Sequence, residues 1–244
     1  MNRSAVTLAA ALATVAAPAF AQDAIMALNP TTMIGYAGTT AGNAYKPRDF
    51  GPQLSRARSQ PRAPAQANPA AVLARTAFQP SAAVRQQAYA RAVAVIGRAS
   101  PEDGARLRTA LSSGQVRTAA AKYLGNYGMS PNNLVDTTAL YLASAWFAAH
   151  ANGGDPSPAQ MKGLRRQVAL TYSTMPRVLS ASSAAKQELA EANIIQAVIA
   201  GSLANQAAAD PKIRGTVRTS VSGAVRETYG LDLTRLNLTA EGLR

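Results

Sequence analysis

SPNNLVDTTALYLASAWFAAH, residues 130–150, decides how the rest of the chain is read. Wound at about 100° per residue, Leu134, Val135, Leu140, Tyr141, Leu142, Trp146 and Phe147 point in nearly every direction. A helix that is apolar on all sides has to be covered on all sides. Residues 131–149 are therefore expected to form a buried central helix. Ser130-Pro131 opens it with a capping hydroxyl and a proline suited to the first helical position.

The flanks repeat the pattern with narrower apolar stripes. On the N-terminal side, Val84, Ala88, Ala92 and Val95 recur at helical spacing, and Ser100-Pro101-Glu102-Asp103 starts a second helix with two acids in its first turn. Acids there match the positive end of the helix dipole. A third short helix is expected over 115–124, divided from the second by Gly114. On the C-terminal side, Ser157-Pro158 opens a helix striped by Met161, Leu164, Val168, Tyr172 and Met175. A long Ala-rich helix follows over 182–209, and a last one carries Ile213, Val217, Val221 and Val225 and ends near Gly230. Leu231, Leu233, Leu236 and Leu238 read as a strap closing over the bundle. The fold class is all-α: about seven helices around a buried central one, without strand alternation, internal repeat or extended heptads.

The start of the chain is different. Arg3 precedes an uncharged run from Ala5 to Ala17, and Pro18 and Ala19-Phe20-Ala21 follow. This is the pattern of a cleaved secretory signal, so residues 1–21 are expected to be removed. The run is too short to span a bilayer as a helix, which takes roughly 20 residues, and no transmembrane segment is expected in the remaining chain. Residues 22–80 are rich in Pro and Gly, and between Lys46 and Arg75 basic residues far outnumber the single acid, Asp49. Such composition resists packing, so 22–80 is expected as an irregular basic lead. The part over 46–80 is expected to be dispensable for stability, whereas the stretch from Ile25 to Tyr45 could strap onto the helices. The helical domain is then 81–244.

The formal net charge is +13, and the leader contributes only Arg3 to it. A basic excess favours anionic partners. With an export signal, an anionic envelope component or another exported protein fits better than nucleic acid, and a periplasmic or secreted location follows. The chain has no Cys. That excludes thiol catalysis and every Cys-containing metal site, while a domain of this size can stand on its core without disulfides.

The order Asn133-Leu134-Val135-Asp136, Tyr141, Ala145-Trp146, then Ser157-Pro158-Ala159-Gln160-Met161 and the ending Leu236-Asn237-Leu238-Thr239-Ala240-Glu241-Gly242-Leu243 resembles an exported, all-helical bacterial family known only as a domain of unknown function. The resemblance covers roughly 81–244 and leaves the basic lead outside. It implies fold and export and supplies no catalytic residue.

Candidate chemistry is sparse. The single histidine, His150, is about 21 Å along the axis from Asp136 on the same helix, so the two cannot form a catalytic pair there. A histidine at a helix C-terminus reads as a cap, and one His without Cys gives no metal site. Asp136 reads as a helix cap or a partner of an arginine, with a place in a pocket as the alternative. No glycine cluster follows a strand as a phosphate loop requires. Glu188 and Glu191 are the weak catalytic alternative. Both fall within the arc of Leu189, Ile194, Ile195 and Ile199, where two acids could share a proton as in hydrolases. The competing reading pairs them with arginines such as Arg165 or Arg117, because a buried acid has to be paired or neutralised. Neither cofactor nor metal is expected. The preferred reading is a non-enzymatic periplasmic or secreted binding or envelope-associated module, with Arg56, Arg58 and Arg62 as an anionic tether. The alternative is an envelope-directed hydrolase using the two glutamates.

Overall fold

The computed structural model describes residues 28–37 and 68–244. Ten helices run through them: α1 (Pro30–Ala37), α2 (Pro69–Thr76), α3 (Ala82–Ala99), α4 (Pro101–Ser112), α5 (Gln115–Gly125), α6 (Leu134–Ala149), α7 (Pro158–Ser173), α8 (Pro176–Leu179), α9 (Ser183–Ala209) and α10 (Arg214–Tyr229). The fold is all-α. The seven longest are the seven read from the sequence. α1, α2 and the four-residue α8 are additional.

Short polar side chains set the starts. The hydroxyls of Ser81, Ser100, Ser157 and Ser182 each accept from a backbone amide in the first turn of α3, α4, α7 and α9. At α7 Gln160 reaches back to the Ser157 amide and completes a capping box. Gly230 ends α10 with φ of 68°, the left-handed conformation that glycine adopts without penalty.

α6 begins at Leu134, three residues later than Ser130-Pro131 implied. Its cap is Asn133, whose Oδ1 accepts from the Val135 amide at 2.9 Å. The same side chain explains the displacement. Its Oδ1 also accepts from the Thr76 hydroxyl, and its Nδ2 donates to the Leu73 carbonyl at 2.8 Å. Asn133 thus ties α6 to α2, and Pro131 and Asn132 lie in the turn before it.

Fourteen of the sixteen residues of α6 are buried. α9 packs along it most extensively, with α10 and α7 on its other sides. One face is less covered than expected: Trp146 is half-buried, its indole donating to the Leu236 carbonyl at 2.7 Å. The indole sits at the rim because its N–H needs a partner, which the C-terminal strap provides. Inside the core, the Tyr229 hydroxyl donates to Asn193 Oδ1, Asn193 Nδ2 donates to the Thr138 hydroxyl, and that hydroxyl bonds to Tyr172. This closed polar chain joins α6, α7, α9 and α10 where no side chain reaches water.

The irregular lead expected over 22–80 holds two short helices, and the first of them, α1, lies in the stretch expected to strap onto the bundle. α1 buries Met33 and Tyr36 against α10, α9 and α3. α2 buries Val72 and Thr76, Phe78 follows it into the core, and the Phe78 amide bonds to the Asn132 carbonyl at 3.1 Å. The segment expected to be dispensable therefore includes core residues from Val72 to Phe78. Composition misled because a few apolar residues, not the average, decide whether a short helix docks.

The tail is a strap with a small hairpin. β1 (Leu238–Thr239) pairs antiparallel with β2 (Gly242–Leu243), and both lie on α7. Gly163 makes this possible: a Cβ there would stand 2.1 Å from the Ala240 carbonyl oxygen. Gln167 fixes the hairpin end, donating to the Leu243 carbonyl and accepting from its amide, each at 2.8 Å. Two-residue strands give no alternation to read. Among the described residues, no helix is long and apolar enough to cross a membrane.

Candidate functional site

Three helices at the N-terminal side of the domain enclose an open cleft of about 1040 Å³. α3 and α4 form its long walls. They cross backbone to backbone at Gly97 and Gly104, where a Cβ added to Gly104 would lie 2.6 Å from the Gly97 Cα. The cleft runs from that crossing along one stripe of α3 as far as Ala82, and α5 completes it with Arg117, Thr118 and Ala121. From Ala82 to Arg98 the α3 lining covers sixteen residue steps, about 24 Å.

Its lining is of two kinds. Tyr89, Val93, Ala90, Ala94, Leu111 and Ala121 give an apolar floor, while Arg85, Arg98, Arg108 and Arg117 stand along it. Among the described residues none of the lining is acidic. Arg98 and Arg108 are exposed and have no ion pair among the described residues.

The other two arginines are anchored from behind. Glu191 of α9 is 0% exposed, and its Oε1 accepts from Arg85 Nε at 3.1 Å and from Arg117 Nη1 at 2.6 Å. Gln187 Nε2 approaches the same oxygen at 3.3 Å, and Arg117 also donates to Asn132. One carboxylate thus orients two guanidiniums whose side chains are 26% and 17% exposed. Glu191 Oε2 is buried without a hydrogen-bond partner. Tyr89 packs beside this cluster. Burial pushes its hydroxyl up to about 12, the negative charge of Glu191 adds to the effect, and Arg117 and Arg85 pull the other way. With four guanidiniums against one carboxylate, the cleft is strongly positive.

The two glutamates singled out from the sequence therefore have separate partners. Glu191 holds Arg85 and Arg117, as one of the two named arginines led one to expect. Glu188, at 27% side-chain exposure, pairs with Arg91 beside Tyr36 and Ile195. Arg165 belongs elsewhere: its Nε and Nη2 clamp Asp136 at 2.7 and 3.1 Å. Asp136 also accepts from the Ser130 amide at 2.9 Å, so of the two expected roles it pairs with an arginine and ties down the turn before α6, while Asn133 is the cap. Burial pushes its carboxyl upward, and the hydrogen bonds from Arg165 and Ser130 only partly oppose this. His150 is the C-cap of α6, stacked on Trp146 with ring centroids 4.3 Å apart and its Nδ1 2.9 Å from the Trp146 carbonyl. Tyr141 is in the core. Arg56, Arg58 and Arg62 lie outside the described residues.

Arg85, Arg98 and Arg108 did not stand out in the sequence. They come from two helices of ordinary amphipathic pattern, and only the Gly97–Gly104 crossing makes them neighbours. That pair of glycines, seven residues apart around Ser100-Pro101, was the available signal.

All of residues 1–244 match the model of the Family of unknown function (DUF6683). The chain belongs to this family. The match is wider than the resemblance over 81–244, because it includes residues 1–80. No curated protein and no solved structure matches the chain. In this DUF6683 chain the α3–α5 cleft brings four arginines together over an apolar floor.

Proposed function

We propose that this chain is an exported, non-enzymatic binding module whose α3–α5 cleft takes an anionic component of the cell envelope or of another exported protein. The observation that carries the reading is the cleft itself: four arginines over an apolar floor, with no acid in the lining. Arginine suits carboxylate and phosphate groups because its planar fork can donate two parallel hydrogen bonds. Glu191 supports the same reading by holding Arg85 and Arg117 in place before any ligand arrives, which lowers the ordering cost of binding. The leader-like residues 1–21 support export to the periplasm or beyond, and Arg56, Arg58 and Arg62 would add a second, looser anionic contact.

The hydrolase alternative is the weaker of the two. A catalytic carboxylate pair has to face a common gap that admits substrate. Here Glu191 is enclosed by guanidiniums and Glu188 is engaged by Arg91.

The test is equilibrium binding of fluorescent poly-L-glutamate to the purified chain and to the Arg98→Glu/Arg108→Glu variant. Binding should weaken steeply between low and physiological salt and fall about tenfold or more in the variant. Binding that ignores both salt and the two reversals would refute the cleft as the site. If only neutralising Arg56, Arg58 and Arg62 abolishes it, the lead alone is the contact.

A further inference from the structure

Resting on the anion-binding reading of the cleft, we infer that its occupant is an acidic amphipathic α-helix of about 16 residues from a partner protein. Three features of the lining select this chemistry. The first is shape. The cleft is an open trough bordered by helices and about 24 Å long, the length of a 16-residue helix. Ala82, Ala90, Ala94 and Gly97 line the α3 wall, and small side chains allow a helix axis to approach closely, as helices laid into grooves require.

The second is where the charge sits. Arg85 and Arg98 are separated by thirteen steps of α3, about 20 Å. Arg108 stands on the opposite wall and Arg117 beside Arg85 across Glu191. A single-chain lipid or fatty acid has its anionic group at one end and would leave the far arginines unmatched. A helix with carboxylates on both flanks of an apolar stripe presents charge along its whole length. The third is the floor. Tyr89, Val93 and Leu111 offer apolar surface that a uniformly charged polymer or a phosphate backbone cannot use, and a helix with a Leu/Ala stripe covers it.

Charge also excludes the occupants closest at hand. The chain's own 46–75 stretch is basic, and a second copy brings the same +13 excess. Both repel the cleft.

The probe is a fluorescein-labelled 18-residue peptide with a Leu/Ala stripe flanked by glutamates, set against a scrambled peptide of identical composition and against poly-L-glutamate. Fluorescence anisotropy is read on the full chain, on Ala90→Trp, which fills the trough at an exposed position, and on Arg98→Glu/Arg108→Glu. Circular dichroism of each variant checks that the fold is kept. The amphipathic peptide should bind about tenfold more tightly than the scrambled one, a difference of about 1.4 kcal/mol, and gain helicity as it binds. Ala90→Trp should weaken the peptide about tenfold and leave poly-L-glutamate unchanged. Equal affinity for both peptides, or indifference to Ala90→Trp, overturns the helix while the anionic cleft stands. Preference for anionic vesicles of phosphatidylglycerol over the peptide also overturns it. If none of the anionic probes binds, both readings fall together.

Discussion

Glu191→Gln keeps the side chain's size and removes its charge, which makes it the sharpest probe of how the cleft is built. In the parent, Arg85 and Arg117 share one fully buried carboxylate oxygen, with Gln187 as third donor. The substitution leaves one acceptor oxygen but sets two guanidiniums against each other without a counter-charge. Removing one partner of a buried ion pair costs about 3–5 kcal/mol. Both arginines are partly in water, with side chains 26% and 17% exposed, and solvent absorbs part of that cost, so about 2–3 kcal/mol is expected. For a chain of this size each kcal/mol moves Tm by about 2–4 °C. Thermal unfolding followed by circular dichroism should therefore show a fall of about 4–12 °C. Adding Arg117→Met should recover part of it, because the unpaired charge is then gone. A Glu191→Gln protein that melts at or above the parent would refute this. The burial cost of the carboxylate would then exceed what its partners return, which is the behaviour of a functional acid held in unfavourable surroundings.

Other outcomes follow from the same structure. Glu188→Gln breaks a partly exposed pair with Arg91, so urea unfolding should show a loss of only about 0–1 kcal/mol, and a loss as large as that of Glu191→Gln would contradict the separate roles. Phe78→Ala removes a buried ring from the segment leading out of α2, and equilibrium unfolding should report a cost of about 3–5 kcal/mol. A neutral result would restore the dispensable lead. Asp103 gives a pH signature. Burial pushes its carboxyl up, but hydrogen bonds from Thr32, Asn29 and Ser100 and the charge of Arg106 outweigh burial and hold it below its ordinary value. A carboxylate lowered in the folded state stabilises fully above its unfolded value, about 3.9, and loses that contribution as pH falls through the folded one. The urea midpoint of the parent should thus exceed that of Asp103→Asn by a constant margin from pH 7 to 5, and the margin should close below pH 4. A margin that widens on acidification would reverse the sign.

Much of the fold was legible because local chemistry and burial agree in this chain. Ser81, Ser100, Ser157 and Gly230 mark helix ends by their own hydrogen bonds or dihedral, and the Met161–Tyr172 stripe is buried as its spacing implies. What escaped depends on long-range partners. Asn133 displaced Ser130 as the α6 cap because Leu73 and Thr76 hold its side chain. α1 docks through Met33 and Tyr36 in the stretch expected to strap, but α2 docks through Val72 and Phe78, too few apolar residues to outweigh the prolines around them in a compositional reading. The candidate site was legible only at Glu191 and Arg117. Its other arginines meet because Gly97 and Gly104 let two backbones cross, and no periodicity along one helix reports such a crossing.

The most direct test of the cleft as the binding face is chemical-shift mapping of the ¹⁵N-labelled chain during titration with poly-L-glutamate at low salt. Shifts should cluster on α3, the facing stripe of α4 and the start of α5, with the Arg85, Arg98 and Arg117 side-chain signals among the largest, and should vanish in Arg98→Glu/Arg108→Glu. Shifts that cluster on another face of the bundle, or that persist unchanged in that variant, would contradict a binding role for the cleft.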